Sequence, residues 1–255
     1  MAYSVADREY MSRALELAAK GRFTTSPNPT VGCVLVVDGA IVGEGYTRPA
    51  GTNHAEIEAL NAASSAKGAT AYVTLEPCSH TGKTGPCVEA LIAAGISRAV
   101  IASEDPNPKV AGEGIKRLED AGIEVACGLY EDQARELNKG FIKRHEHGLP
   151  WVVVKTAASL DGRTAMASGQ SQWITTPASR KDVQRLRAAN CAIITGIGTQ
   201  LMDDPSLTVR ITHKDLGVED SLRQPLRVVV DSKLQMSPEA RMFAQPGDTL
   251  IATTD

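Results

Sequence analysis

Helix and strand signals alternate along the first 147 residues of this 255-residue chain. Two apolar runs typical of strands, TAYVTL and RAVIAS, each follow an amphipathic stretch that ends at a glycine. The apolar runs of TVGCVLVVDGAIVGEGY surround Asp38-Gly39, a dipeptide that favours a two-residue hairpin turn. This alternation predicts an α/β sandwich, in which helices cover a sheet.

A second unit is predicted to begin after the segment EHGLP, residues 146–150. We therefore place the domains at residues 1–147 and 148–255. The pattern restarts there with a predicted strand in WVVVKTA, a helix in ASRKDVQRLRAA, and further strands in CAIITG, LRVVVDS and DTLIATT. Because the sequence stops directly after the last of these strands, we expect the C-terminal part of the second domain to be missing from it.

Charge and composition narrow the classes of partner. The net charge is -3 and aromatic residues make up 4% of the chain, so neither a basic field nor a stacking surface for nucleic acid is indicated. No apolar run is long enough for a membrane span, and the first predicted helix carries Asp7 and Glu9, unlike a secretory leader. We expect a cytoplasmic protein without nucleic-acid or membrane partners. Its cysteines then stay reduced, so paired cysteines indicate metal binding or catalysis.

The five cysteines are of two kinds. Cys33, Cys127 and Cys191 lie among apolar residues on predicted strands, where a small buried side chain is the expected role. Cys78 and Cys87 each follow a proline, and they enclose the polar, glycine-bearing segment SHTGKTGP. Cys78 and Cys87 are therefore the cysteines that indicate metal binding or catalysis.

His54 completes a metal-binding set with this pair, because it opens the predicted helix HAEIEAL just as Cys87 opens another. One histidine and two thiolates form a catalytic zinc site that leaves its fourth position to water. Glu56, two residues from His54, does not need to bind the metal and can carry protons. His-x-Glu followed by Pro-Cys and a second Cys is the signature of zinc nucleobase deaminases. Eight residues separate the cysteines here instead of the usual two, and we predict that this longer segment contacts the substrate.

Three alternatives remain open on these residues alone. A closed structural site that adds His80 as a fourth ligand would activate no water and would leave Glu56 without a role. A nucleic-acid or nucleoside zinc deaminase with an accessory domain predicts a basic groove and stacking aromatic residues. A non-catalytic interaction module stabilised by zinc is the third. Ammonia release, measured together with metal content on one sample, would separate them.

Several longer motifs resemble those of a known family. SPNPTVGCV, HAEIEAL, TLEPCSHTGKTGPC and EDPNPKVAGEGIKRLEDAGIEV resemble the deaminase domain of the bifunctional riboflavin-biosynthesis deaminase/reductases. KTAASLDGRTA, SQWIT and DDPSLTVR resemble the reductase domain of that family, so the resemblance covers essentially the whole chain. It implies a cytidine-deaminase-like α/β/α sandwich followed by a dihydrofolate-reductase-like α/β domain. It also implies Zn²⁺ and NADPH as cofactors, deamination of diaminohydroxyphosphoribosylaminopyrimidine, and reduction of its ribosyl group to ribityl.

The resemblance assigns roles in the deaminase site by position. His54, Cys78 and Cys87 become zinc ligands, with Glu56 as the proton donor. The positions that match substrate contacts are Asn28, Ala55, His80 and Lys83. Lys83 suits a phosphate group but could equally be a solvated loop lysine, and Asn28 could instead hold a turn between its flanking prolines.

The resemblance also assigns roles in the reductase domain. It implies NADPH contacts at Ala157, Trp173, Thr199, Asp203 and Ser232, and substrate contacts at Ser171, Arg187, Leu207 and Arg210. We expect Lys155 and Asp203 to be the polar residues around the ribose, although Lys155 could be a strand-edge lysine and Asp203 a turn aspartate before Pro205. Arg187 and Arg210 suit a phosphate because guanidinium groups pair with it bidentately, although Arg187 could be a helix-surface charge. We expect a homo-oligomer. Because further sequence completes the cofactor pocket in the resembled family, we expect a chain ending at Asp255 to deaminate but not to reduce, and to be poorly soluble.

Overall fold

The computed structural model describes residues 3–80, 85–108 and 110–254. The chain divides into two compact units, Met1–Trp151 and Val152–Asp255, and each is described by itself. None of the helices in the described ranges is long and apolar enough to cross a membrane.

The first unit is a five-stranded sheet with helices on both faces. Its helices are α1 (Val5–Lys20), α2 (Ala55–Ala62), α3 (Cys87–Ala93), α4 (Glu113–Asp120), α5 (Glu131–Leu137) and α6 (Lys139–His147). Its strands are β1 (Gly32–Val37), β2 (Ala40–Tyr46), β3 (Thr70–Val73), β4 (Arg98–Ile101) and β5 (Glu124–Cys127). The sheet order is β2-β1-β3-β4-β5, with β1 antiparallel to both its neighbours and β3, β4 and β5 parallel. One apolar core lies under α2, α3 and α4 and a second under α1 and α5, which confirms the predicted α/β/α sandwich.

The hairpin of β1 and β2 forms at the predicted dipeptide. Asp38 and Gly39 both have positive φ angles, 48° and 77°, which is the type I′ turn that matches the twist of the strands. On β2, a Cβ atom at Gly45 would lie 2.3 Å from the carbonyl oxygen of Ala55. Only glycine therefore allows the start of α2 to pack directly on the sheet, and this packing fixes the position of His54 and its neighbours.

The single helix predicted over EDQARELNKGFIKRHEHG is wrong, because the chain breaks between α5 and α6 at Asn138. The side chain of Asn138 is buried, and its Oδ1 accepts a hydrogen bond from the backbone N–H of Thr30 at 2.8 Å. Its Nδ2 donates to the carbonyl oxygen of Thr30, also at 2.8 Å. The amide thus joins the break to the segment before β1, which a continuous helix would not allow.

The second unit is built on a three-stranded parallel sheet. Its helices are α7 (Pro177–Ala189), α8 (Ile197–Asp203) and α9 (His213–Leu216), and its strands are β6 (Ala192–Gly196), β7 (Leu226–Val230) and β8 (Thr249–Ala252), in the order β6-β7-β8. One face packs on a core that includes Val229 and Met242. On the other face Ile194, Val230 and Leu250 are all more than half exposed.

Two further expectations from sequence are wrong. The run WVVVKTA is not a strand, because no described strand pairs with it, and Val154 is 82% exposed. Cys33 is buried as predicted, but Cys127 and Cys191 are exposed. Cys127 ends the edge strand β5 and Cys191 precedes β6, so neither is enclosed by neighbouring strands.

A buried carboxylate joins α1 to the sheet. Asp7 and Ser4 form a capping box at the start of α1, in which the Asp7 N–H donates to Ser4 Oγ at 3.0 Å. Asp7 Oδ1 also accepts hydrogen bonds from Arg98 at 2.7 Å and from the Tyr72 hydroxyl at 2.8 Å. Burial alone would raise the pKa of Asp7, but the hydrogen bonds from Arg98, Ser4 and Tyr72 outweigh it and hold that pKa well below its usual range.

We predict that Asp7→Asn lowers the free energy of unfolding by about 2 kcal/mol at neutral pH, because it weakens hydrogen bonds to a charged, buried acceptor. The folded-state pKa of Asp7 lies below its unfolded value of about 3.9, so its stabilisation is complete above about pH 5 and is lost as the pH falls. Urea unfolding followed by circular dichroism at several pH values measures this difference.

The matched control is Glu9→Gln, which removes an exposed carboxylate from the same helix and should change stability by less than about 0.5 kcal/mol. If the difference in free energy of unfolding between the wild type and Asp7→Asn stays constant from pH 7 into the acid range, this role for the Asp7 charge is contradicted.

Candidate active site

Three chain segments meet at the candidate metal centre. His54 occupies the N-cap position of α2, Cys78 lies in the turn after β3, and Cys87 is the first residue of α3. His54 Nδ1 is 3.6 Å from Cys78 Sγ and 3.3 Å from Cys87 Sγ. These three ligand atoms all lie within 4.8 Å of one another. The structure therefore brings together the three residues that the sequence singled out as a set.

The donor atoms fit a zinc ion. Zinc binds thiolate sulfur at about 2.3 Å and imidazole nitrogen at about 2.0–2.1 Å, so tetrahedral neighbours lie roughly 3.3–3.8 Å apart. The separations between His54 Nδ1 and the two sulfurs fall in that range. His80 is exposed and is not part of the described ligand group, so the structure does not support the closed four-ligand alternative. Three protein ligands leave one coordination position for a water or a substrate.

Hydrogen bonds distribute charge unequally between the two thiols. The bond between the Cys87 and Cys78 side chains lowers the pKa of Cys78 and raises that of Cys87, whose pKa burial raises further. The backbone N–H of Cys87, in the first turn of α3, also donates to Cys78 Sγ at 3.3 Å. Contact with Cys78 raises the pKa of His54, although burial opposes it. These directions favour a thiolate at Cys78 and a protonated thiol at Cys87, so metal binding to both sulfurs would release a proton.

Glu56 lies beside the ligands without being one of them. It belongs to the first turn of α2 and is only 3% exposed. Burial raises its pKa to about 7, the negative charge of Cys78 adds to the shift, and the positive charge of His54 partly offsets it. A carboxyl group with a pKa near 7 can both accept and donate a proton at neutral pH. Its position and its pKa therefore suit a proton carrier.

Three of the four other residues assigned to the deaminase site lie in the described part of the chain. Ala55 is buried as the first residue of α2. Asn28 is half-buried, and its backbone N–H donates to the carbonyl oxygen of Thr25 at 2.9 Å; the role of its side chain stays a prediction. His80 is exposed, and Lys83 lies outside the described residues.

In the second unit, the predicted cofactor residues follow adjacent strands. Thr199 lies in α8 directly after β6, Asp203 ends that helix, and Ser232 follows β7. Since β6 and β7 are parallel, their carboxyl ends share one edge of the sheet, which is where open α/β sheets bind ligands. Trp173 stacks with Arg180, whose guanidinium carbon is 4.4 Å from the ring centroid, and Ala157 is half-buried.

The predicted substrate residues of this unit fall into two groups. Lys155 lines a cleft of about 550 Å³ together with residues of α7, while Ser171 is half-buried. Arg187 donates to the carbonyl oxygen of Thr208 at 2.9 Å, next to the buried Leu207. Arg187 is half-buried, and burial together with the nearby charge of Arg210 lowers its pKa.

Sequence reasoning missed Glu76. This carboxylate is 3% exposed and accepts four backbone hydrogen bonds. Oε1 accepts from Gly114 at 2.8 Å and Ile115 at 3.2 Å, and Oε2 accepts from Asp105 at 3.1 Å and Gly112 at 3.0 Å. An acidic residue between an apolar strand and a Pro-Cys pair was the signal that could have found it.

Both parts of the chain are similar to known protein families, and nearly the whole chain is similar to individual relatives. Residues 4–103 match the family model of the cytidine and deoxycytidylate deaminase zinc-binding region, and residues 150–255 match that of the RibD C-terminal domain. The riboflavin biosynthesis protein RibD of Escherichia coli is 58% identical over 254 residues, which cover 97% of this chain and 69% of the relative. The RibD of Haemophilus influenzae is 53% identical and is covered to 66%. The chain thus spans about two thirds of the length of these relatives.

Solved structures agree with the sequence comparisons. A structure of Acinetobacter baumannii RibD superposes with a TM-score of 0.93 at 48% identity, covering 98% of this chain and 70% of the other. The diaminohydroxyphosphoribosylaminopyrimidine deaminase/5-amino-6-(5-phosphoribosylamino)uracil reductase of Thermotoga maritima gives a TM-score of 0.88 at 37% identity. It also covers 98% of this chain and 70% of the other.

We predict that Cys78→Ser and Cys87→Ser each lose bound zinc after dialysis, because each removes one of three ligand atoms. Cys127→Ser is the matched control, since it changes an exposed thiol of the same unit and should leave the zinc content unchanged. Elemental analysis per mole of chain is the measurement. Full zinc occupancy in both ligand variants would show that the metal binds elsewhere.

Proposed function

The chain belongs to the RibD family of riboflavin-biosynthesis enzymes, in which a zinc-dependent deaminase and an NADPH-dependent reductase share one chain, and on that premise we propose which of its residues perform each step. Its substrate is a small phosphorylated pyrimidine, so the alternative of a nucleic-acid deaminase is not favoured. The first reaction replaces the ring amine with oxygen and releases ammonia, and the second reduces the ribosyl group to ribityl. We keep residues 1–147 and 148–255 as the proposed extents of the two domains.

The proposed deaminase centre uses His54, Cys78 and Cys87 to hold zinc and Glu56 to move protons. Zinc, when bound, lowers the pKa of a coordinated water so that it can act as a nucleophile near neutral pH. With zinc in place, the Glu56 carboxylate would accept one proton from that water and pass it to the ring nitrogen next to the reacting carbon. Glu56 would then carry the remaining proton from the added hydroxyl group to the exocyclic amine, so that the C–N bond breaks, ammonia leaves and the ring carbon keeps the oxygen as a carbonyl.

The single observation that supports this assignment is the position of Glu56. It is buried within the same cluster as the three ligand atoms, and its pKa of about 7 lets one group serve as base and then as acid. Burying an ionisable group costs free energy. A purely structural zinc site would have no use for such a group beside its ligands, whereas a catalytic site would.

Substrate contacts in the deaminase site are proposed at Asn28, Ala55, His80 and Lys83. Ala55 follows His54 directly, so its backbone lies next to the metal centre. His80 follows Cys78 by two residues and is exposed, which leaves its ring available to a ligand. Lys83 is proposed as a point charge for the substrate phosphate.

The proposed reductase site lies at the carboxyl edge of the β6-β7-β8 sheet. NADPH contacts are proposed at Ala157, Trp173, Thr199, Asp203 and Ser232, and substrate contacts at Lys155, Ser171, Arg187, Leu207 and Arg210. The adjacency of the β6 and β7 carboxyl ends supports the cofactor residues. Burial, and after it the nearby charge of Arg210, lowers the pKa of Arg187. This supports a phosphate site, because an anion between two cations relieves their repulsion.

Self-association and a cytoplasmic location also remain proposals. The exposed apolar side chains Ile194, Val230 and Leu250 on one sheet face support the first. The need to keep Cys78 and Cys87 reduced for metal binding supports the second.

We expect Glu56→Gln to keep its zinc but to lose deamination by at least about 10²–10⁴-fold, the contribution that general acid–base groups make. The measurements are ammonia release and zinc content on the same sample. Glu58→Gln is the matched control, because Glu58 lies on the same helix but binds Arg48 and Asn53 instead of the metal cluster. Turnover close to wild type in zinc-loaded Glu56→Gln would overturn the assignment.

We expect Arg187→Ala to weaken the binding of ribose phosphate by about 10-fold or more, since hydrogen bonds between charged groups contribute about 1.5–3 kcal/mol. Arg185→Ala, an exposed position on the same helix, should leave the affinity unchanged. Isothermal titration at two salt concentrations measures both affinities. Equal affinities in the two variants would rule Arg187 out as a phosphate ligand.

A further inference from the structure

We propose that Glu76 is a positioning residue that fixes the turn carrying Cys78 and so sets the geometry of the metal centre. The inference rests on the proposed function, because it assumes that Cys78 binds the metal. It goes further in assigning a role to a carboxylate that is neither a ligand nor a proton carrier.

The side chain of Glu76 is held only by backbone donors among the hydrogen bonds of the described residues. Asp105 donates from the loop after β4, and Gly112, Gly114 and Ile115 donate from the start of α4. Glu76 therefore closes both ends of the segment 105–115 onto one carboxylate. Bonds of this kind to a carboxylate are about twice as strong as bonds between neutral groups.

The start of α4 also touches the backbone next to Cys78. A Cβ atom built at Gly114 would lie 2.2 Å from the carbonyl oxygen of Pro77, so a side chain there would force the two segments apart. The N–H of Glu76 donates to the carbonyl oxygen of Ser103 at 2.9 Å, whereas Pro77 has no N–H to contribute. The carboxylate of Glu76 thus supplies the anchoring that the backbone of Pro77 does not.

On its other side, the Cys78 turn is held by α3. The N–H of Cys87 donates to Cys78 Sγ at 3.3 Å, and the N–H of Val88 donates to the carbonyl oxygen of Cys78 at 3.2 Å. Cys78 accordingly lies between two helix starts, one that touches its sulfur and one that is attached through Glu76 and Pro77. Loss of the second attachment would leave the position of Cys78 Sγ relative to His54 Nδ1 poorly defined.

The main test measures zinc affinity in Glu76→Gln by competition with a chromophoric chelator. Glutamine keeps the shape of the side chain but turns an NH₂ group toward two backbone donors, so those bonds are lost. We expect the dissociation constant for zinc to rise about 10–100-fold, the usual effect of removing a group that orients a metal ligand. The absorption spectrum of the cobalt(II)-substituted protein should change as well, because it reports ligand geometry rather than stability.

Two further variants separate positioning from general stability. Asp7→Asn also removes a buried, hydrogen-bonded carboxylate, but at the start of α1, and we expect it to keep wild-type zinc affinity and the wild-type cobalt spectrum. Gly114→Ala keeps the carboxylate of Glu76, but its Cβ atom would lie 2.2 Å from the carbonyl oxygen of Pro77 and 3.0 Å from Glu76 Oε1. It therefore disturbs the same attachment, and we expect it to weaken zinc binding in the same way as Glu76→Gln.

A measurement on the wild-type protein needs no variant to fold. If the attachment through Glu76 and the metal support each other, zinc must slow hydrogen exchange at the amides of Asp105, Gly112, Gly114 and Ile115, because coupling between two sites is reciprocal. Unchanged exchange at these amides on zinc addition, or wild-type zinc affinity in Glu76→Gln, would overturn the inference alone. A wild-type chain that binds no zinc would overturn the proposed function and this inference with it.

Discussion

Convergence of three separate chain segments on one small volume is the constraint on which the rest of the first unit depends. His54 lies 24 residues before Cys78 and 33 before Cys87, yet its Nδ1 is within 3.6 Å of both sulfurs. The sheet makes this possible, because β1 pairs with β2 on one side and β3 on the other, and each of the outer two is followed by a ligand-bearing segment. The bare backbone of Gly45 then lets α2 approach closely enough for His54 to reach the cysteines.

Bringing these groups together concentrates negative charge in a place with little water. Burial raises the pKa of Glu56 to about 7 and that of Asp105 to about 6, and the sulfur of Cys78 contributes to both shifts. The positive charge of His54 partly offsets the shift at Glu56, and Asp105 has no such compensation from it. A divalent cation is the largest local charge that such a site can accept, so it would relieve the repulsion that burial creates. The crowding of buried acidic groups and thiols thus favours the binding of a cation at this place.

Local sequence patterns predicted the parts of the structure that depend on neighbouring residues. A turn or a helix cap is determined by a few neighbouring residues. The sequence therefore predicted the Asp38-Gly39 turn, the helix starts at His54 and Cys87, and the polar surroundings of Cys78. The break at Asn138 was not readable, since its cause is Thr30, 108 positions away. The four hydrogen bonds to the Glu76 carboxylate could not be predicted for the same reason, because the nearest donor lies 29 residues further along the chain. Exposure at Cys127 depends on which strand lies at the edge of the sheet, and composition does not encode that order.

The pairing of Asn138 with Thr30 also has a consequence for how the protein is made. Ribosomes add about 5–20 residues per second, so the 108 positions that separate the two residues take roughly 5–20 s to synthesise. Throughout that interval the backbone N–H and carbonyl of Thr30 lack the amide that satisfies them, directly ahead of the apolar strand β1. Water must serve these two groups until Asn138 emerges, so the contact that joins the segment before β1 to the break between α5 and α6 forms late in synthesis.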